Sequence, residues 1–537
     1  MSRSRRSRFP EDAQYFIYYT FLYKYLSDNL KNHIIAQMGA EAEDLKRLYS
    51  VEDEKAYIRE FCLNDLGYFF ESYEGYVDQY LKNKPVDEVF SPELFMLYEN
   101  NLIFDQDSPL KDRFEEIIKI MDENSKMSPI MYNGDSSLVM SSFIHSILNL
   151  DISEKCFSFQ KVYRQLATSR FSHISKTPEY ISEMLTAIVL SQKGNAESVY
   201  DPFMNDLSIL TSLSEKSLFK SFYGKESYIS HYYYSLIRAI IEGFDLSNLH
   251  MANENARESM TFGDETFDVI VSKVPNRLRN VSKSRQSLET PNKENVIKNR
   301  LFSNMGLDNL DEDEELLNAL KIIESKVDAM RKSEIINFDG EYKSLQDSEF
   351  LFIINMINCL AEHGIMAISV SQNFLFKNSL TTLRKFLTYE NNYIDAIISL
   401  PEKFTRVRPE VIIVFRKDKP TDDIMFIDIL KDYQTVRSEY AMPGTMRNNL
   451  LLSEKTLHKI LETLYERKTV DKFSRVVDMR ELIKNDFNLT VSRYVDTYEE
   501  DYIRLEDLRK DRERIDYNIN RLTEKIDKML DEMNIRF

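Results

Sequence analysis

Apolar residues recur at steps of three and four along the first third of the chain. Near the N-terminus six large side chains follow this spacing, which is typical of an amphipathic helix: Tyr15, Tyr18, Tyr19, Phe21, Leu22 and Tyr25. Residues 44–66, 109–123 and 134–150 show the same period. We therefore predict an all-α domain over residues 1–170, with the aromatic stripe in its core.

From residue 171 helical patterns alternate with short apolar runs rich in β-branched and aromatic side chains. Predicted helices cover residues 178–191, 231–243, 348–363 and 379–390, and predicted strands cover 198–200, 217–222, 267–271, 365–370, 394–399 and 411–415. This alternation indicates an α/β, Rossmann-like domain with a mostly parallel sheet and helices on both faces. We assign the domain to residues 171–470, with residues 276–345 as an insertion or mobile loop.

A heptad-like pattern closes the chain. Its apolar members lie at steps of three, four or seven residues: Leu508, Ile515, Ile519, Leu522, Ile526, Met529 and Met533. The pattern predicts a long helix with an apolar seam inside a C-terminal segment of residues 471–537. The seam either binds another subunit, through Ile515, Ile519, Leu522 and Ile526, or folds back on the N-terminal helices.

The charge balance limits the classes of partner. Seventy basic residues against 88 acidic ones give a net charge of -18, which disfavours a surface devoted to nucleic acid or to anionic membranes. Residues 276–300 depart from this balance with seven basic and two acidic side chains. This segment is either a solvated loop or a DNA-binding segment that contacts phosphates through four of its basic residues: Arg277, Arg279, Lys283 and Arg285.

Cysteine and histidine offer no metal site. The three cysteines are far apart and the seven histidines show no metal-like spacing, so we predict neither zinc nor a disulfide framework, and a reducing cytoplasm. The longest apolar stretch, residues 351–370, is interrupted by polar side chains, so we predict no membrane span.

Candidate ligand groups follow three predicted strands. Asp201 and Pro202 end the first, Glu226 follows the second, and the tetrapeptide Lys273-Val274-Pro275-Asn276 follows strand 267–271. This order is typical of a nucleotide-type site, in which a turn follows the first strand, an acidic residue that binds ribose hydroxyls follows the second, and a functional tetrapeptide follows a later one. Glycine, however, is scarce: 12 residues in 537, about 2 % against a usual ~7 %.

These segments resemble the modification (M) subunits of type I restriction-modification systems almost from end to end. Those subunits are S-adenosylmethionine-dependent adenine-N6 DNA methyltransferases. The most specific match is the sequence NDFNLTVSRYVD at residues 485–496, which a coiled helix follows in the family as it does here. Further matches are residues 21–28, 66–70, 373–377 and 394–401. The resemblance implies that the chain binds a specificity subunit. An intact M-like subunit is a second implied partner, and DNA would be contacted through the assembled complex.

The resemblance implies six cofactor-binding residues, in a weakened or vestigial site: Asp201, Asn205, Glu226, Asn255, Thr177 and Pro178. The family's loop after the first strand reads Asp-Pro-x-x-Gly-x-Gly-Gly, and its glycines are replaced here by Asn205, Leu207 and Ser208. Asparagine tolerates the left-handed conformation, whereas we expect Leu207 to clash with a ligand or to exclude it.

The catalytic tetrapeptide departs further from the family. Lys273, Val274, Pro275 and Asn276 stand where the family has Asn-Pro-Pro-Phe or Asn-Pro-Pro-Tyr. That motif accepts hydrogen bonds from the amino group of the flipped adenine and stacks an aromatic ring on the base. An ammonium group has no acceptor, and asparagine has no aromatic face. We therefore predict a degenerate catalytic site.

These departures favour a catalytically impaired M-like component of a type I restriction-modification or related phage-defence complex. It would act by assembly and DNA clamping and would need no cofactor. The alternative is an active S-adenosylmethionine-dependent adenine-N6 DNA methyltransferase with a divergent site. A third possibility is an unrelated interaction role on the same fold.

Overall fold

The computed structural model describes most of the chain. The described residues are 13–82, 84–86, 94, 101–124, 135–149, 163, 177–193, 196–216, 219–256, 259–263, 265–275, 351–400, 409–429, 434–437, 448–451, 453–496 and 505–532. The predicted insertion at 276–345 lies outside them, and so do Asn276 and the four basic residues proposed to contact DNA.

The N-terminal part is helical, as predicted, with one small β-ribbon. Its helices are α1 (Ala13–Met38), α2 (Leu45–Ser50), α3 (Glu52–Leu66), α4 (Val77–Lys82), α5 (Pro109–Asn124) and α6 (Asp135–Leu148), and its antiparallel strands are β1 (Tyr68–Phe70) and β2 (Leu102–Phe104). The prediction of an all-α unit missed the ribbon. Gly67 ends α3 in a left-handed conformation (φ 77°), and the buried aromatic run of β1 then continues as an extended chain.

The rest of the chain is built on a nine-stranded sheet. Its strands are β3 (Ser198–Asp201), β4 (Ser221–Lys225), β5 (Leu249–Ala252), β6 (Phe267–Lys273), β7 (Leu360–Ser371), β8 (Ile394–Ser399), β9 (Glu410–Arg416), β10 (Ile424–Asp428) and β13 (Ser474–Val477), and a separate pair is β11 (Gln434–Arg437) with β12 (Asn448–Leu451). Its helices are α7 (Glu179–Gln192), α8 (Ser208–Lys216), α9 (Ile229–Ile241), α10 (Leu351–Cys359), α11 (Asn373–Phe376), α12 (Thr381–Lys385), α13 (Glu454–Glu466) and α14 (Met479–Lys484).

The strand order is β13-β10-β8-β9-β7-β6-β3-β4-β5. All neighbours pair in parallel except at β9 and β13, which run antiparallel to the strands beside them. The predicted mostly parallel sheet is confirmed. The order reverses between β3 and β6, and the carboxyl ends of these strands therefore flank the crevice where such sheets bind ligands.

Three consecutive tyrosines of α9 join the sheet domain to the N-terminal helices. The Tyr233 hydroxyl donates to the Tyr15 carbonyl at 3.2 Å, and the Tyr232 hydroxyl donates to Glu116 at 2.7 Å. The ring of Tyr234 stacks on Tyr163 with 4.8 Å between centroids. The aromatic stripe of α1 is buried in the same apolar cluster, which confirms that the stripe is core.

The segment after residue 470 is joined to the sheet. Strand β13 pairs with β10, so the sheet extends past the predicted end of the methylase domain. Residues 485–496 then pack on α11 and β10: the Leu489 amide donates to the Leu375 carbonyl at 2.8 Å, and the Tyr494 ring lies 4.4 Å from the Phe426 ring. The buried guanidinium of Arg384 donates to the Phe487 and Phe374 carbonyls at 2.6 and 3.1 Å.

The last described element is α15 (Leu505–Glu532). Its seam residues Ile515, Ile519, Leu522 and Ile526 are 54 %, 54 %, 55 % and 54 % exposed. The apolar face of α1 is already buried, so the fold-back alternative is not the arrangement of this structure. No helix among the described residues is long and apolar enough to cross a membrane.

Replacing Arg384 with methionine tests how residues 485–496 are held. Loss of the guanidinium leaves buried carbonyls without donors, at a cost of about 3 kcal/mol, and we expect the Leu489 amide to exchange its hydrogen about 100-fold faster. Hydrogen exchange with mass spectrometry measures this. Arg493→Met, on an exposed residue of the same segment, is the matched control. Equal exchange in both variants would contradict the anchoring role of Arg384.

Candidate functional site

Asp201 ends β3 at the mouth of the crevice and is only 1 % exposed. One carboxylate oxygen, Oδ1, accepts from Ser272 Oγ at 2.6 Å and from the Phe203 amide at 3.0 Å. The other oxygen, Oδ2, is buried, and no described residue donates a hydrogen bond to it. Burial raises the pKa of Asp201 to about 7. The protein therefore fixes one oxygen of this carboxyl group, whereas the other is enclosed without a bonding partner among the described residues.

Glu226 follows β4, which is paired in parallel with β3. It is 7 % exposed, and its Oε1 accepts from the Tyr228 amide at 2.8 Å and lies 3.9 Å from His231 Nδ1. Burial raises the pKa of Glu226 to about 7 as well. Asn253 donates to the Glu226 carbonyl at 2.8 Å, which ties this turn to the one after β5, where Asn255 is half-buried.

The loop between β3 and α8 keeps a glycine-like backbone without glycine. Asn205 and Leu207 have φ values of 53° and 63°, in the left-handed region. The Leu207 side chain has no exposed surface and belongs to the main apolar cluster, so it does not line an open crevice. The expectation that Leu207 would clash with a ligand or exclude it stays a prediction. Burial of a leucine side chain, worth about 1.5–3 kcal/mol, offsets a backbone cost of about 1–2 kcal/mol.

A buried arginine supports this loop from below. Arg238 on α9 donates through Nη1 to the Asp206 carbonyl, to Asp206 Oδ2 at 3.3 Å and to Ser208 Oγ at 2.8 Å. Its Nε donates to Glu242 at 2.7 Å. Asp206 Oδ1 also accepts from the Thr177 amide at 3.2 Å, which places Thr177 and Pro178 beside the loop. Sequence reasoning missed Asp206 and Arg238, although an arginine within the otherwise apolar stretch of α9 was a signal.

A second buried cation fixes the turn after β5. The Lys225 ammonium donates to Glu254 Oε2 at 2.7 Å and to the carbonyls of Ser259 and Thr261 at 2.9 and 2.8 Å. It also lies 4.7 Å from the centre of the Phe262 ring. These contacts hold the segment that begins at the Asn255 turn against the ends of the strands.

This half of the site suits S-adenosylmethionine. Asp201 and Glu226 place buried carboxyl groups at the ends of neighbouring strands, where they could hold hydroxyl and amino groups of that cofactor. The loop after β3 keeps the backbone conformation that allows close approach of a ligand. Among the described residues, no group of three or more His, Cys, Asp or Glu side chains could hold a metal ion.

The tetrapeptide that the sequence predicts as a degenerate catalytic site has different surroundings. Lys273 ends β6, and its ammonium lies 3.3 Å from Glu410 Oε1. The other Glu410 oxygen accepts from Ser369 Oγ at 3.0 Å. Val274 is fully buried, and its amide donates to the Ser369 carbonyl at 3.0 Å. An ion pair therefore lies beside the position where the family's motif has an amide.

Glu410 is the third residue that sequence reasoning missed. Its acidic side chain opens β9, whose other residues are apolar up to Arg416, and its side chain is only 5 % exposed. A buried carboxylate needs a cation or a hydrogen-bond donor nearby. An acidic residue at the start of an apolar strand could therefore have predicted a buried polar contact. Ser272, which bonds Asp201, is adjacent to Lys273, so the cofactor half and the catalytic half of the site are directly connected.

Comparison with known proteins agrees with this fold. The profile of the N-6 DNA Methylase family matches residues 174–325 and 322–502, which is more than half of the chain. The chain therefore belongs to the N-6 DNA Methylase family. This confirms the resemblance drawn from the sequence.

The curated relatives include methylase subunits of type I restriction enzymes. The chain is 22 % identical over 340 residues to the type I restriction enzyme MpnII methylase subunit of Mycoplasma pneumoniae, covering 60 % of this chain and 52 % of the relative. It is 34 % identical over 125 residues to the MjaVIII methylase subunit of Methanocaldococcus jannaschii, covering 22 % of this chain and 20 % of the relative. The matches thus span about half, or less, of the length of these relatives.

A solved structure covers more of the chain. The type I restriction-modification methyltransferase subunit from Streptococcus thermophilus superposes with a TM-score of 0.64 at 20 % identity, over 90 % of this chain and 95 % of that one. This similarity confirms the predicted Rossmann-like methyltransferase fold.

The raised pKa of Asp201 predicts a pH-dependent effect of Asp201→Asn. A carboxyl group with a pKa of about 7 when folded and about 3.9 when unfolded stabilises the fold fully below pH 4, and this stabilisation is lost as the pH rises through 7. Asparagine does not ionise, so the variant should gain in unfolding temperature relative to the parent protein between pH 5 and 8, without ligand. Differential scanning fluorimetry measures the difference. For the control Glu462→Gln, on an exposed residue, the difference in unfolding temperature should not change with pH. If the difference for Asp201→Asn does not change with pH either, the burial argument is contradicted.

The Lys273–Glu410 pair predicts a coupled effect of two substitutions. Lys273→Asn leaves the buried Glu410 without its cation and should cost about 2 kcal/mol, less than for a fully buried pair because the Lys273 side chain is 19 % exposed. Adding Glu410→Gln should restore most of the loss. Lys220→Asn, in the exposed pair with Glu197, should change stability little. A double-mutant cycle from thermal unfolding measures the coupling, and additive losses would disprove it.

Proposed function

We propose that this chain is an M-subunit-like component of a type I restriction-modification or related phage-defence complex that is impaired in methyl transfer. Its role is to assemble the complex and to help it close around DNA. The observation that carries the proposal is the ion pair of Lys273 with Glu410 at the catalytic tetrapeptide.

Transfer to adenine N6 needs an acceptor for the protons of the target amino group. Lys273 has donors only, and Asn276 supplies no aromatic face for the flipped base. The carboxylate of Glu410 does accept, but it is buried and already bound by Lys273 and Ser369. The described residues therefore provide a poor site for an amino group.

A specific observation favours the alternative, an active methyltransferase with a divergent site. The loop after β3 keeps its left-handed residues, and Asp201 and Glu226 keep the positions suited to the cofactor. When bound, S-adenosylmethionine supplies an activated methyl group. Asp201, Glu226 and Asn255 would hold it, with Asn205, Thr177 and Pro178 shaping the pocket. In the impaired subunit this site is vestigial or binds without transfer.

Assembly is assigned to α15 and contact with DNA to the basic segment after β6. The exposed seam of Ile515, Ile519, Leu522 and Ile526 would bind the specificity subunit, and an intact M-like subunit could supply catalysis to the complex. Arg277, Arg279, Lys283 and Arg285 would contact DNA phosphates. The relatives named as methylase subunits of type I restriction enzymes support these partners.

Methyl transfer tests the proposal in the complex with the specificity subunit. With labelled S-adenosylmethionine and DNA carrying the target site, we expect no transfer above the background of a Glu226→Ala control. The combined change Lys273→Asn, Val274→Pro, Asn276→Phe and Glu410→Gln restores the motif and removes the negative charge of Glu410, and any gain should require all four. Transfer by the unmodified protein that Glu226→Ala abolishes would establish the alternative.

Calorimetric titration of S-adenosylmethionine separates binding from transfer. Micromolar affinity, about 8 kcal/mol, would mean that the cofactor half still works. No heat up to millimolar ligand would mean that it is vestigial, and Asp201→Ala should then leave assembly intact.

A further inference from the structure

Helix α9 bonds the loop between β3 and α8, residues 202–207, on one of its sides. Ser235 Oγ donates to the Asn205 carbonyl at 2.9 Å. Arg238 donates to the Asp206 carbonyl and to Asp206 Oδ2, the latter at 3.3 Å. Ser235 is fully buried and Arg238 is only 3 % exposed, so water does not replace these donors. The backbone of the loop therefore depends on the position of α9.

The same helix bonds the N-terminal domain through residues that closely precede Ser235. The Tyr232 hydroxyl donates to Glu116 of α5, and the Tyr233 hydroxyl donates to the Tyr15 carbonyl of α1. Both tyrosine side chains are buried. A rigid helix that is hydrogen-bonded to two parts of a protein can carry a displacement from one part to the other.

The loop between β3 and α8 is strained and can relax when its bonds to α9 are lost. Asn205 and Leu207 have φ values of 53° and 63°, and neither residue is a glycine. Helix α9 supplies hydrogen-bond donors to two consecutive carbonyls of this segment, those of Asn205 and Asp206. A displacement of α9 removes these donors and favours a loop with ordinary φ values.

We propose that α9 couples the N-terminal domain to the loop between β3 and α8, so that displacement of the domain loosens the loop. A movement of the N-terminal helices as the complex closes around DNA would then reach the candidate site. The coupling is reciprocal, so a ligand that orders the loop would strengthen the attachment of the N-terminal helices. This inference rests on the proposed function for the closing movement and for the identity of the ligand, and it adds a regulation of the same site.

Hydrogen exchange with mass spectrometry of the full-length protein tests the coupling without any ligand. The reporters are the amides of Met204 and Leu207, which donate to the carbonyls of Lys225 and Met204 at 3.0 and 2.8 Å. The combined change Tyr232→Phe and Tyr233→Phe removes only the two hydroxyls that bond the N-terminal domain. We expect both reporter amides to exchange at least threefold faster in this variant.

Matched controls separate the coupling from a general loss of stability. Tyr68→Phe removes a buried hydroxyl that bonds the Leu26 carbonyl inside the N-terminal domain, and should leave the reporter amides unchanged. In the reverse direction, Ser235→Ala removes a donor of α9 and should speed exchange in α1 and α5. Ser182→Ala removes a similar buried donor, which bonds the Ser208 carbonyl from α7, and should leave α1 and α5 unchanged.

Unchanged exchange of Met204 and Leu207 in the double tyrosine variant would overturn the proposal, whether or not α1 and α5 exchange faster. An equal rise in Tyr68→Phe would overturn it too, because the loop would then report general stability. Either result leaves the proposed function intact, since no cofactor enters the test. Methyl transfer by the unmodified complex would contradict the proposed function and leave the coupling intact.

Discussion

The buried guanidinium of Arg238 is the interaction on which the candidate site depends. It crosses from α9 to the turn between β3 and α8 and bonds the main chain and side chain of Asp206. Without glycine, this turn needs two residues in left-handed conformations, which its sequence does not favour. Glycine would adopt these conformations without strain. Here the turn is stabilised by the ion pairs of Arg238 with Asp206 and Glu242 and by the burial of Leu207. The backbone path can therefore be kept after the residues that usually allow it are lost.

The loop after β3 and the tetrapeptide after β6 differ in how the structure accommodates their departures from the family's motifs. Around Asp201 and Glu226 the substitutions are compensated by contacts below the loop, on the side away from the crevice. At Lys273 the substitution changes the chemistry of the group that ends β6, and its compensation, Glu410, removes an acceptor from the site. The backbone of the turn after β3 is thus kept, although the tetrapeptide after β6 differs from the family's motif.

Much of this fold could be predicted from the sequence because burial leaves a periodic pattern. The stripe of α1 and the apolar runs of β6, β7 and β8 were found in that way. Strand β5, with alternating buried and exposed residues over only four positions, and β13, at the sheet edge, gave too little signal. In the site, the ends of β3, β4 and β6 could be located from spacing. Two side chains that contact these strand ends could not be predicted. Arg238 lies 32 residues from Asp206, and Glu410 lies 137 residues from Lys273, so no sequence pattern links either residue to its partner.

The position of Glu410 also limits how the catalytic motif could be regained. A buried carboxylate tolerates loss of its cation poorly, so asparagine alone at residue 273 restores the first residue of the motif but destabilises the fold around Glu410. If Glu410 changes first, the Lys273 ammonium loses its buried partner. The loss of folding free energy is then smaller, because part of the lysine side chain reaches solvent. The less costly order of changes therefore begins at Glu410, a residue outside the motif. The buried Lys273–Glu410 pair therefore makes any return to the family's motif depend on a residue that lies far from the motif in the sequence.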